Sequence, residues 1–106
     1  MNDKIHDPYI NVFYDAILSL KDRKECDNFF DDICTISEIK SMAQRLQIAV
    51  LLDQGKTYSE IIDETKVSTA TISRVNKCLE YGADGYKTVL SRISLNDLNN
   101  KDVEVQ

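Results

Sequence analysis

The sequence predicts an all-α fold of six short helices, and three observations carry that prediction. Apolar residues recur at intervals of three and four rather than two along nearly the whole chain. Helix-start signals, a capping side chain followed by Pro or by Glu three positions later, stand ahead of most of those stretches. The 106 residues include one proline, three glycines and 42% apolar residues, a composition that suits a helical globular chain and not a disordered or β-rich one. A chain of this length is read as one domain, spanning residues 1–94, with residues 95–106 as a polar, weakly periodic and flexible tail.

Asp7-Pro8 supplies the first start, since proline at the first helical position lacks only an N–H that would have no intrahelical partner. Tyr9, Ile10, Phe13, Ile17 and Leu20 then follow the helical period, and Val12, Tyr14 and Leu18 widen the apolar surface. A helix apolar on so many sides is covered on more than one. A chain this small buries only about two-thirds of its unfolded surface, so a second copy is the expected cover. After a polar break at Lys21–Arg23, Asp22 opens a second helix that points Cys26, Phe29, Phe30 and Ile33 inward. Asp27, Asp31 and Asp32 lack the loop and spacing of a calcium site and read as a solvated face. Thr35-Ile36-Ser37-Glu38 is a capping box that begins the longest helical pattern, from Ile39 through Met42, Ala43, Leu46, Ile48, Ala49, Val50, Leu51 and Leu52. This is the expected spine of the core, and Gly55 ends it in a conformation that favours glycine.

The stretch that points to function runs from Thr57 to Leu79. Thr57-Tyr58-Ser59-Glu60 is a second capping box, and Ser68 caps another helix three or four residues after the first one stops. Ile61, Ile62, Val67, Ile72 and Val75 fall where two steeply crossing helices would bury one side of each. Thr69, Ala70, Thr71, Ser73, Arg74 and Lys77 are then left facing out, a run of small side chains, hydroxyls and cations suited to a DNA major groove. The pattern is a helix-turn-helix over residues 57–81. In it Arg74 would grip a guanine or a phosphate, and Thr69, Ala70, Thr71 and Ser73 would meet base edges, a thymine methyl or bridging water. Tyr58, Ser59, Lys66 and Lys77 would touch phosphates, and Ser68 stands at the mouth of the reading helix. A last helix begins at Asp84 or Gly85 and carries Tyr86, Val89, Leu90 and Ile93.

The net charge of −5 argues against DNA binding until it is located. Residues 1–38 hold nine acids against four bases, whereas residues 39–94 hold eight bases against six acids. Between Lys66 and Leu79 there are three cations and no acid, so the proposed reading face is locally positive. Enzymatic function is not expected: the sequence offers no Cys/His pair in context, no phosphate-binding glycine loop and no carboxylate pair with an acid–base partner. No metal is expected either, because His6 is the only histidine and the three cysteines lack CxxC spacing. Cys78 is read as a small buried thiol. Absence of a long apolar run or a signal sequence predicts a cytoplasmic protein with no membrane partner.

In this order, capped spine, tight corner, helix-turn-helix and terminal helix, the chain from about Tyr9 to Ile93 resembles the Trp-repressor-like family, most of all its YerC/YecD group. The anchors are Thr35-Ile36-Ser37-Glu38, Arg45-Leu46-Gln47-Ile48, Gly55 and Ala70-Thr71-Ile72-Ser73-Arg74. The resemblance implies an intertwined homodimer, double-stranded DNA as partner, and repression from a near-palindromic operator. It also implies an effector pocket in which Arg45 and Arg74, with Thr35 nearby, would clamp L-tryptophan. Two departures speak against that ligand: Val75 stands where the family has a glycine beside the indole, and Lys66-Val67-Ser68 replaces a glycine-rich turn. The expectation is therefore a DNA-binding regulator without a cofactor and without tryptophan control. A tryptophan-responsive repressor is one alternative. The other is a non-catalytic adaptor that offers its acidic N-terminal face to a basic partner.

Overall fold

The structure, a computed structural model, describes residues 7–93, so the tail expected at 95–106 lies outside the described residues. Among the described residues there are six helices and no strand: α1 (Pro8–Leu18), α2 (Arg23–Ile33), α3 (Ile36–Asp53), α4 (Tyr58–Thr65), α5 (Thr69–Tyr81) and α6 (Gly85–Arg92). The described residues fall into two compact units divided between Ser41 and Met42.

In the first unit the expected caps form. The Asp7 carboxylate accepts from the Tyr9 N–H at 2.9 Å, and Asp22 accepts from the Glu25 N–H at 2.9 Å. Glu25 in turn accepts from the Lys21 N–H at 2.9 Å. The start of α3 is a reciprocal box, with Glu38 N–H to the Thr35 hydroxyl at 3.1 Å and Thr35 N–H to the Glu38 carboxylate at 2.8 Å. Phe13, Phe29 and Phe30 form a chain of ring contacts, 6.3 Å between the first two centroids and 5.4 Å, edge on, between the last two. No residue of α1 or α2 is buried, and Tyr9 and Leu18 are 76% and 81% exposed. Cys26, expected to point inward, is exposed. It lines an open groove of about 440 Å3 with Arg23, Asp27, Phe30, Asp31 and Ile39. Cys26 stands one turn before Phe29 and Phe30, which placed it on the expected inner face, and among the described residues that end of α2 is open.

The second unit holds the core. Ile48, Ala49 and Leu51 of α3 pack with Ile61 of α4 and with Ile72 and Val75 of α5. Leu52, Tyr58, Ile62, Val67, Leu79, Tyr86 and Leu90 close around them. The spine is thus buried only over Ile48–Leu51, while Met42 and Ala43 are exposed, because α4 and α5 pack against the C-terminal end of α3. Gly55, at φ +86°, ends α3 with Lys56 N–H to the Leu51 carbonyl and Gly55 N–H to the Leu52 carbonyl, both 3.0 Å. This paired closure needs the left-handed residue that glycine supplies without strain. At Gly82, which ends α5, an added Cβ would press into the Cys78 carbonyl.

The helix-turn-helix is formed by α4 and α5, joined by Lys66, Val67 and Ser68 alone. The Thr65 hydroxyl donates to the Ile61 carbonyl at 2.7 Å and accepts from the Val67 N–H at 3.3 Å, which ties the turn to the end of α4. Lys66 itself is left-handed, at φ 62° and ψ 21°, a conformation that costs a residue with a Cβ about 1–2 kcal/mol. Lys66→Gly is accordingly expected to stabilise the fold by about 1 kcal/mol, read as a raised denaturant midpoint at fixed protein concentration. A lowered midpoint would mean that the lysine side chain holds the turn by contacts that outweigh its backbone strain.

Candidate nucleic-acid interface

The reading face is built on helices whose buried sides are fixed first. Ile72 is fully buried and Val75 is 2% exposed, so two positions of α5 seat that helix on α3 and α4. Rotation by the helical period then turns Thr69, Ala70, Ser73, Arg74 and Lys77 to solvent, and all five are exposed. Ser59 at the start of α4 and Lys66 in the turn are exposed as well. Tyr58 is half-buried and packs on the core cluster.

Two hydroxyls of the expected set have structural partners. The Ser68 hydroxyl accepts from the Thr71 N–H at 3.2 Å and lies 3.1 Å from the Thr71 hydroxyl. Thr71, expected to face out with its neighbours, is half-buried. It stands three and four residues before Arg74 and Val75, and with them it flanks a cavity of about 190 Å3 also lined by Arg45, Cys78 and Tyr86. Cys78, expected to be buried, is exposed at that cavity, one turn beyond Arg74 and Val75. The cavity was not legible as a volume in the sequence, although Arg45, Arg74 and Val75 were singled out there. Thr35 caps α3 in the first unit, and its side chain accepts from Glu38.

At the other end of the motif, α4 starts with its capping box complete. Thr57 N–H donates to the Glu60 carboxylate at 2.8 Å, and Glu60 N–H donates to the Thr57 hydroxyl at 3.2 Å. The Thr57 N–H first, and the Thr57 hydroxyl after it, hold the Glu60 carboxyl below its ordinary range. Desolvation opposes them, and the positive charge of Lys56 adds to them. Because the folded-state value is the depressed one, this stabilisation is present above the unfolded carboxylate value, about pH 4.3, and is lost as the pH falls through the folded value. Glu60→Gln keeps an amide in the box but cannot ionise. The difference in urea midpoint between native protein and Glu60→Gln should therefore be largest near neutral pH and vanish as the pH falls through the depressed folded value. A difference that persists unchanged into acid would remove ionisation from the cap.

Among the described residues no cluster of His, Cys, Asp or Glu is disposed to hold a metal ion, and no helix is long and apolar enough to cross a membrane. The arrangement left is a short helix, seated by its buried side and open on the other, with hydroxyls and two cations on the open side.

Comparison with known proteins agrees with that architecture. The family model for the Trp repressor protein matches residues 9–94. The chain is 53% identical over 91 residues to the uncharacterized protein YerC of Bacillus subtilis, covering 86% of this chain and 88% of that one. It is similar in structure to a proposed Trp repressor from Staphylococcus aureus, with 48% identity and a TM-score of 0.79 over 84% of this chain and 89% of that one. A TrpR-like protein from Eubacterium eligens shares 48% identity and a TM-score of 0.81 over 86% of this chain and 94% of that one. The chain belongs to the Trp repressor family.

Proposed function

We propose that this protein is a sequence-specific DNA-binding transcriptional regulator, a repressor, that acts as a homodimer on a near-palindromic operator. The observation that carries the reading is the division of α5. Ile72 and Val75 are locked into the core, while Thr69, Ala70, Ser73, Arg74 and Lys77 stand free on the opposite side. A helix mounted in this way presents small polar side chains and positive charge to a groove without having to rearrange. Membership in a family of regulatory DNA-binding proteins supports the same reading. Two reading helices in a two-fold dimer would meet successive major grooves about 34 Å apart.

The dimer is supported by the first unit, where α1 exposes Tyr9, Val12, Tyr14 and Leu18 and buries nothing of its own. Apolar surface of that extent on a small domain needs a cover, and a second copy supplies one symmetrically. L-tryptophan is not the proposed effector. The cavity between Arg45 and Arg74 measures about 190 Å3, below the roughly 300–1,000 Å3 of ordinary small-molecule sites, and the buried Val75 forms part of its wall.

The decisive experiment is binding-site selection with the purified protein, with and without L-tryptophan. A palindromic motif enriched equally in both conditions supports the reading, and one that appears only with tryptophan restores the amino-acid sensor. No enrichment at physiological salt would favour the adaptor, whose motivation is the −5 balance of residues 1–38. Since the reading face carries few cations, the salt dependence of operator binding should be shallow, and a slope implying ten or more released counterions would contradict it.

A further inference from the structure

The Ser68–Thr71 pair does not belong with the free side chains of α5, and its geometry suggests a separate task. Ser68 is the N-cap of α5, and its hydroxyl holds the Thr71 N–H at 3.2 Å. The same hydroxyl lies 3.1 Å from the Thr71 hydroxyl, so the cap is held to the main chain and the side chain of one residue. Thr71 is half-buried against the cavity lined by Arg45, Arg74, Val75, Cys78 and Tyr86, while Thr69 and Ala70, the residues between cap and lock, are exposed. A recognition helix reads bases mainly with its N-terminal residues, so whatever fixes that first turn fixes the reading head.

We infer that Thr71 is a positioning residue: through Ser68 it locks the first turn of α5 and so sets where Thr69 and Ala70 stand, without itself reading DNA. The inference rests on the DNA-binding reading. It differs from that reading in what Thr71→Val should do. A base reader loses preference at one base pair, whereas a hydroxyl on a phosphate neutralises no charge, so it leaves the salt slope alone and loses affinity uniformly and independently of Ser68. A positioning residue also loses affinity across the site, but its loss is shared with that of Ser68→Ala and comes with a loosened first turn of α5.

The test compares Thr71→Val, Thr71→Ser, Ser68→Ala and the Ser68→Ala/Thr71→Val double variant on the operator selected by the native protein. Amide exchange in the first turn of α5 is followed in parallel. Loss of one neutral hydrogen bond predicts that Thr71→Val binds about five- to tenfold more weakly, with base preferences and salt slope unchanged. Thr71→Ser should restore affinity, since it keeps the hydroxyl. The double variant should bind no worse than the weaker single one, because both break the same lock. The amide of residue 71 should exchange faster in Thr71→Val and in Ser68→Ala. Relaxed preference at a single base pair, additive losses, or unchanged exchange would each overturn the inference. Failure of the DNA reading shows separately, as native protein that enriches no sequence, and the positioning role then falls with it.

Discussion

Truncating Ile72 to alanine is expected to lower the unfolding free energy by about 2–5 kcal/mol, the range for removing a buried aliphatic side chain. Ile72 has no exposed surface and lies among Ile48, Ala49, Leu51, Ile61 and Val75, so its loss opens a void shared by α3, α4 and α5. The cost depends on how far neighbours can collapse into that void. Here collapse is limited, because α4 and α5 are held by a three-residue turn and Val75 already borders a cavity on the same helix. For a domain of this size the melting temperature should fall by roughly 4–8 °C for each kcal/mol. Ser73→Ala, at the exposed position next in the chain, should stay within about 0.5 kcal/mol of the native protein. Melts of both variants at one protein concentration make the comparison, since subunit association would otherwise shift the midpoint. Equal melting temperatures for the two would mean that α5 is not seated by Ile72. The larger consequence is functional: the residue that stabilises the fold also holds the helix proposed to read DNA.

The contrast between Ile72 and its neighbours shows where sequence reading succeeds. The caps at Asp7, Asp22, Thr35, Thr57 and Ser68 were legible because each depends on a hydrogen bond spanning two or three residues. Gly55 was legible because a left-handed helix exit favours glycine. The buried positions Ile61, Ile72 and Val75 followed from the helical period. What escaped depends on neighbours distant in the chain. Met42 and Ala43 carry the right pattern for a core spine, yet α4 and α5 cover only the C-terminal part of α3. Thr71 has the composition of a groove-reading residue, but it stands at the cavity's edge with its hydroxyl against Ser68. The left-handed Lys66 escaped because a lysine gives no local sign of the conformation that the turn imposes. In the same way the substitution at Val75 was visible in the chain, while the volume left beside it depends on six side chains from three helices.

Arg74 is where those two kinds of information meet, and its replacement should have the largest effect on DNA binding. Arg74→Ala is expected to weaken specific binding by about 1–3 kcal/mol, roughly 5–150-fold, while leaving the fold intact. The side chain is exposed, so its loss opens no cavity and should change stability by no more than about 0.5 kcal/mol. A guanidinium gripping guanine through two parallel hydrogen bonds gives one signature on substitution, relaxed preference at a single base pair. A guanidinium on phosphate gives another, a loss uniform across sequences with a salt slope shallower by about one. Arg74→Lys separates the two again, because lysine keeps the charge for a phosphate but not the planar fork for a guanine. Arg74 also borders the cavity with Arg45, so a role confined to that cavity would leave operator affinity unchanged in a folded Arg74→Ala protein. That result would take Arg74 out of the reading face. The predicted loss in Arg74→Ala, not recovered in Arg74→Lys and focused on one base pair, would instead make the guanidinium the specificity-bearing group of α5.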